Sequence, residues 1–157
     1  MGMYLSFIRV TPQELEEAEK DPARAEVFLE RRHERGADEP DGGLEKAWAG
    51  LEFLLNAAAA GVDLLRDGEL ISEDGRFSGW TADRVQGAAK RLGDLPFERL
   101  ARHYDPQRMT EEDVYPGVWQ PPGKGELAYL EEHYAVLVGF FTAAAASGSA
   151  AIMLLDY

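Results

Sequence analysis

The chain has 157 residues, no cysteine and a formal net charge of −13 at pH 7. This length suits a single domain over residues 1–157, and without cysteine neither disulfides, thiolate nucleophiles nor cysteine-ligated zinc can form. The excess of acids disfavours nucleic-acid binding through a basic patch and favours attraction to basic partners. No basic segment followed by an apolar run opens the chain, as it would in a secretory signal, so we expect a cytoplasmic protein.

A strand and two helices are predicted at the N-terminus. Residues 3–10 have the β-branched and aromatic content of a strand. Residues 11–14 (Thr-Pro-Gln-Glu) form a capping box with proline at the first helical position, which predicts a helix over about 12–20. The Asp-Pro pair that follows begins a second helix, ending in the charged segment 31–35. Residues 37–43 contain proline and glycine and are predicted to form an exposed loop.

The middle of the chain alternates between clear and ambiguous segments. A strong helix is predicted over residues 44–60, where apolar residues recur at steps of three and four. The next segment, 61–75, has no single interpretation. The apolar residues at 62–65 would continue a helix, whereas Leu70 and Ile71 would form a short strand.

The segment after it is predicted to be mainly helical. Residues 76–80 are extended or looped, and Thr81 then caps a helix that runs to about residue 92. Residues 95–104 give another helix, which the following Asp-Pro pair closes. Residues 110–113 form at most one turn, and 114–125 are irregular because they are rich in proline and glycine.

A long helix and a strand are predicted at the C-terminus. An apolar stripe over residues 126–147 predicts a helix about 33 Å long, with its acids and His133 turned to water. Gly148 suits a left-handed helix cap. Residues 149–155 are almost entirely apolar, as in a central strand that is buried on both faces.

A membrane tail anchor is the alternative for this last segment, because no charge occurs between Ala135 and Leu155. The Ser-Gly-Ser break at 147–149 and the absence of flanking basic residues favour the helix followed by a strand. We therefore expect no membrane span. The predicted fold is a mostly helical α+β domain whose small sheet includes the N- and C-terminal strands, covered by the two long helices.

Several short motifs occur in an order that is typical of a known family. They are Met1-Gly2-Met3, Lys46-Ala47-Trp48, Tyr104-Asp105-Pro106, Tyr115-Pro116 with Trp119, and Phe140-Phe141 before Gly148. With them the chain resembles the YfbM-like bacterial proteins, a family of unknown function, over its whole length except the poorly matching segment 57–76. The resemblance implies a compact, soluble α+β domain and no known activity. Where relatives tend to carry histidine after a helix leucine, this chain has Glu52.

Glu52 is the only candidate for a catalytic group. It lies at the edge of the apolar stripe, about 40° around the helix from Trp48. A carboxylate held against apolar surface has a raised pKa and can act as a general acid or base. The interpretation that the sequence favours is that Glu52 reaches solvent or pairs with an arginine.

Two aromatic residues, Tyr115 and Trp119, lie on the irregular segment. Aromatic side chains on loops often contact ligands or partners, and they also commonly fill a small core. The second role is favoured here, because Pro116 would set the turn that lets both rings point inward.

No metal, cofactor or nucleophile is predicted. The histidines His33, His103 and His133 lie far apart, and none belongs to a zinc-binding motif. No serine lies in a Gly-x-Ser-x-Gly turn, and no glycine-rich phosphate loop is present.

Two functions remain open. The first is a non-enzymatic interaction protein that binds another protein, a basic one being favoured by charge. The second is a small-molecule binder or hydrolase with a pocket around Glu52, His103, Tyr115 and Trp119, to which Trp48 would contribute. The second requires those side chains to converge on one concavity. Whether copies of the chain form a homo-oligomer is not determined by the sequence.

Overall fold

A computed structural model of the protein describes residues 2–35 and 39–157, apart from the side chains of His33 and Arg35. Within these ranges five strands form one antiparallel sheet, in the order β2-β1-β5-β4-β3, and seven helices surround it. The strands are β1 (Tyr4–Val10), β2 (Gly43–Glu45), β3 (Glu69–Leu70), β4 (Phe77–Trp80) and β5 (Ala150–Asp156). The helices are α1 (Pro12–Lys20), α2 (Ala23–Arg35), α3 (Trp48–Ala57), α4 (Ala82–Gly93), α5 (Phe97–Ala101), α6 (Pro106–Glu111) and α7 (Glu126–Ala146).

The two ends of the chain meet in the middle of the sheet. β5 pairs with β1 along its full length, from Tyr4 opposite Asp156 to Val10 opposite Ala150, and its other edge pairs with β4. Residues 150–154 are buried, as a strand paired on both edges and covered on both faces requires. The predicted α+β fold, with its terminal strands in one sheet, is confirmed.

Side chains that alternate along β1 enter two separate cores. Leu5 and Phe7 join the larger core beneath α3, α4 and α7, whereas Ile8 and Val10 join a smaller core beneath α1 and α2. This period of two is what a strand with both faces covered produces. The smaller layer begins at the predicted capping box. Thr11 Oγ1 accepts the Glu14 N–H across 3.1 Å, and Glu14 Oε1 accepts the Thr11 N–H across 2.9 Å.

The C-terminal half of the prediction is also confirmed. α7 covers 21 residues and is followed at Gly148 by a left-handed backbone with φ of 66°, after which β5 begins. Among the described residues no helix is both long and apolar enough to cross a bilayer. The uncharged run that suggested an anchor is divided between α7 and β5.

His133 is buried, with 9% of its surface exposed, and the expectation that it faces water was wrong. Its Nδ1 donates a hydrogen bond to the carbonyl oxygen of Tyr129 across 2.9 Å, and the two rings lie 4.4 Å apart. Residues four apart on a helix are neighbours, so the imidazole folds back along α7 and is covered by the tyrosine.

The helix predicted from residue 44 begins only at Trp48. Leu44 is fully buried in β2, which pairs with β1 at the edge of the sheet. The preceding loop was predicted over 37–43. Its first two residues lie outside the described ranges, and its last residue belongs to β2. Gly42 is buried because its carbonyl accepts the Phe7 N–H across 2.9 Å.

A short helix, α6, begins at the Asp-Pro pair, where the sequence predicted only the end of the preceding helix. Asp105 accepts the Arg108 N–H across 3.0 Å and caps this helix, with Pro106 in its first turn. The Asp-Pro pair therefore ends one helical segment and begins another, which a proline at a first helical position permits. α5 is correspondingly shorter than the predicted 95–104.

Candidate functional site

The side chains of Trp48 and Tyr115 are stacked, with ring centroids 5.9 Å apart. Trp48 Nε1 donates to the carbonyl oxygen of Met3 across 3.1 Å, and the Tyr115 hydroxyl accepts the Met3 N–H across 2.8 Å. Both polar groups are thus bonded to the backbone that precedes β1. The pair attaches the N-terminus to α3 and to the irregular segment 114–125.

Trp119 fills the space between that segment and the helices α3 and α7. Its Nε1 donates to the Val114 carbonyl across 2.8 Å, and its ring lies so close to Gly50 that a Cβ there would be 2.6 Å away. Tyr104 meets the ring edge-on and donates its hydroxyl hydrogen to the Gln120 carbonyl across 2.7 Å. Burial raises the pKa of the Tyr104 hydroxyl. The aromatic residues of this segment therefore pack the core.

His103 and Glu52 lie apart from these rings. His103 is exposed in the turn after α5, whereas Glu52 projects from α3 towards residues 61–67. Throughout the described part of the chain, no hydrogen bond, ion pair or ring contact joins either residue to the aromatic side chains. The structure brings Trp48 and Tyr115 together and places Glu52 in a different setting.

A network of carboxylates organises residues 61–67. Glu52 Oε2 accepts the Leu65 N–H across 3.1 Å. Asp63 Oδ1 accepts the N–H groups of Leu65 and Arg66 across 3.1 and 3.0 Å, and Asp67 Oδ2 accepts the Asp63 N–H across 2.9 Å. These bonds hold the segment as a turn against α3, and they give several of its backbone N–H groups side-chain acceptors. This is the segment for which apolar periodicity made no single prediction.

The surroundings of Glu52 favour the protonated form of its carboxyl group. Burial, together with the negative charge of Asp63, raises its pKa from 4.5 to about 8. Oε1 is enclosed and has no hydrogen-bond partner. The burial of this group comes from the 61–67 turn as well as from α3.

Two concavities lie on either side of this turn. One, of about 300 Å³, is lined by the end of α3 and by Asp63 and Asp67. The other, of about 360 Å³, lies towards α4 and shares Gly61 and Asp67 with the first. Three arginines, Arg66, Arg84 and Arg91, line it with Trp80. Sequence reasoning missed this group. Only the seven-residue spacing of Arg84 and Arg91, which puts both on one face of α4, was visible beforehand.

The site offers acid–base chemistry and anion recognition. A neutral carboxyl at Glu52 can donate a proton, and guanidinium groups bind carboxylates and phosphates. Within residues 2–35 and 39–157, no cluster of three or more histidine, aspartate and glutamate side chains is arranged to hold a metal ion.

Comparison with known proteins agrees with the fold. The model of the family described as "Domain of unknown function (DUF1877)" matches residues 1–154. The chain belongs to the DUF1877 family. The crystal structure of YfbM from Escherichia coli, a protein of unknown function, matches with a TM-score of 0.72 over 98% of this chain and 99% of that chain. A search of the curated proteins found no match.

The YfbM-like resemblance read from the sequence motifs is thus confirmed, and this DUF1877 protein shares its architecture with YfbM at 16% sequence identity. At that identity the likeness shows the fold alone. The chemistry has to be argued from the side chains of this chain.

Proposed function

We propose that this DUF1877 protein is a non-enzymatic cytoplasmic interaction protein that binds a basic protein through an acidic surface. Support comes first from its charge, with 29 acidic side chains against 16 basic ones. An excess of this size accelerates and orients the encounter with a positively charged partner.

The surface best suited to such a partner is formed by the end of α6, the following segment and the N-terminal half of α7. We call it the acidic end. Its exposed residues are Glu111, Glu112, Asp113, Val118, Tyr129, Glu131 and Glu132. Trp119, from the segment after α6, and Leu130, from α7, both pack against Gly50, so both parts flank α3. Val118 is 54% exposed and Tyr129 37%, so apolar contacts accompany the carboxylates, as in many protein interfaces.

The proposal is tested by capture of partners from a native lysate at low and high salt. We expect a lysine- and arginine-rich protein to bind at low salt and to be released at high salt, because salt screens exposed charges. The same protein should be lost from a Glu131→Lys/Glu132→Lys variant. The matched control is Glu16→Lys/Glu19→Lys, which changes the same charge on α1, on the other side of the sheet.

Equal capture by wild type and the α7 variant would refute the acidic end as the binding surface. Equal loss in both variants would show that binding follows overall charge and uses no particular surface.

A second candidate function, binding or hydrolysis of a small molecule, is favoured by Glu52. Its carboxyl has the raised pKa of a general acid, and the turn that it holds lines a concavity of about 300 Å³. Hydrolase substrates turned over by the wild type and not by a Glu52→Gln variant of unchanged fold would support this candidate. Equal turnover by both proteins would exclude Glu52 as the acid.

A further inference from the structure

The concavity between α4 and residues 61–67 is basic, although the protein is acidic. Arg66, Arg84 and Arg91 line it together with one carboxylate, that of Asp67. Its lining therefore carries a positive charge within a chain of net charge −13. Its volume of about 360 Å³ lies in the range of small-ligand sites.

The three guanidinium groups have different partners. Arg84 donates to the carbonyl of Asp67 and lies 3.5 Å from Glu69 Oε1, so protein groups hold it in place. Arg66 and Arg91 make no side-chain hydrogen bond or ion pair with any described residue. Two unpaired arginines beside a third repel one another, and a bound anion would relieve that repulsion.

Arg91 is positioned by two glycines. A Cβ at Gly61 would lie 3.3 Å from Arg91 Cδ, and a Cβ at Gly87 would lie 3.3 Å from its Nη1. Gly61 also has a φ of 76°, a conformation that glycine adopts without strain. The Arg91 side chain thus packs closely against the backbone at these two glycines.

The indole N–H of Trp80 is an unused hydrogen-bond donor. Trp80 is fully buried and lines the concavity, yet its Nε1 has no acceptor among the described residues. The other two tryptophans both donate to backbone carbonyls. A Cβ at Gly68 would lie 2.6 Å from Trp80 Nε1, so the backbone at this glycine packs closely against the indole N–H.

We propose that this concavity binds a phosphate-type oxyanion, either inorganic phosphate or the phosphate group of a small monoester. Arg66 and Arg91 would contact the anion from the rim, and the indole ring of Trp80 would lie beside it in the wall of the concavity. Planar guanidinium groups match phosphate geometry through paired N–H donors. Asp67 and Glu69, which pairs with Arg84, are two acids beside three arginines, so the charge around the concavity stays positive.

The indole N–H signals of the three tryptophans provide a direct test by NMR. Titration with sodium phosphate at constant ionic strength should move the assigned Trp80 signal in a saturable manner. The signals of Trp48 and Trp119 should stay in place, because their N–H groups already donate to carbonyls. An unmoved Trp80 signal would overturn the proposal, as would the same shift produced by sodium chloride.

Variants of the exposed arginines complete the test. Arg66→Gln/Arg91→Gln should raise the dissociation constant for phosphate about tenfold or more, because hydrogen bonds between charged groups are the strong ones. Arg102→Gln, at an exposed arginine beyond α5, is the matched control and should bind phosphate as the wild type does. Unchanged affinity in the double variant, or an equal loss in the control, would overturn the assignment. The wild type and both variants are then titrated with a phosphate monoester. This shows whether the same arginines also bind an esterified phosphate.

Discussion

The backbone N–H of Leu65 donates to Oε2 of Glu52 across 3.1 Å, which joins the middle of α3 to the turn at 61–67. The turn that this bond holds forms part of both concavities, because its Gly61 and Asp67 line each of them. A change in the charge of Glu52 therefore acts on a bond that helps to hold the turn.

The first prediction concerns the pH dependence of stability. Because folding raises the pKa of Glu52 from 4.5 to about 8, the folded protein binds one proton more than the unfolded chain between these values. The stabilisation that this bound proton gives is fully present below the pKa of the unfolded state. It is lost progressively as the pH rises through the pKa of the folded state. The free energy of unfolding, measured with denaturant from about pH 5 to about pH 9, should carry a falling contribution of at most about 1.4 kcal/mol per pH unit.

A Glu52→Gln variant should lose this contribution. Glutamine keeps an oxygen that accepts the Leu65 N–H and has no charge to bury, so at about pH 7.5 it should exceed the wild type in stability by about 1–3 kcal/mol. The difference should shrink towards about pH 5. Glu16→Gln on exposed α1 is the control and should follow the wild-type profile. A Glu52→Gln protein with the wild-type slope would show that this carboxyl titrates normally.

The second prediction compares two helical glycines. A Cβ at Gly50 would lie 2.6 Å from the Trp119 ring and 2.8 Å from Leu130 Cδ2, whereas a Cβ at exposed Gly139 would meet nothing within 4 Å. Gly50→Ala should therefore destabilise the protein by about 1–3 kcal/mol through overpacking. Gly139→Ala should stabilise it by about 0.5–1 kcal/mol, because alanine favours the helix. Thermal and denaturant unfolding of both variants would measure this. Equal effects would contradict the packing of Trp119 against α3.

The third prediction concerns Tyr134, whose single hydroxyl hydrogen is donated mainly to the Leu95 carbonyl at 2.7 Å, with the Leu92 carbonyl at 3.2 Å. Burial raises the pKa of this hydroxyl to about 12, so it remains a donor at neutral pH. Tyr134→Phe should lower the free energy of unfolding by about 1–2 kcal/mol, because the Leu95 carbonyl loses this donor. Tyr129→Phe is the control. Its exposed hydroxyl only accepts the Lys46 N–H at 3.3 Å, so the change should be below about 0.5 kcal/mol.

Local signals predicted much of the fold. The capping box at Thr11 and Glu14, the cap at Thr81 and the glycine after α7 depend on neighbours in the chain, and all three occur as predicted. The errors arose where distant contacts prevailed. Leu44 fits the helical stripe of α3, yet its backbone lies in β2 at the edge of β1. Its position therefore depends on a partner about 40 residues earlier, which periodicity does not detect.

Residue types and their spacing were sufficient to predict an acidic α+β chain with a buried C-terminal strand, because caps and apolar periods act over a few residues. The order of short motifs added the resemblance to the YfbM-like proteins. The surroundings of each candidate side chain could not be read in this way. Whether Glu52 is enclosed depends on a turn that begins nine residues further on, and the arginine concavity exists because α4 packs beside that turn. Exclusion of water and the convergence of charges are properties of assembled surfaces, and they are set when those surfaces meet.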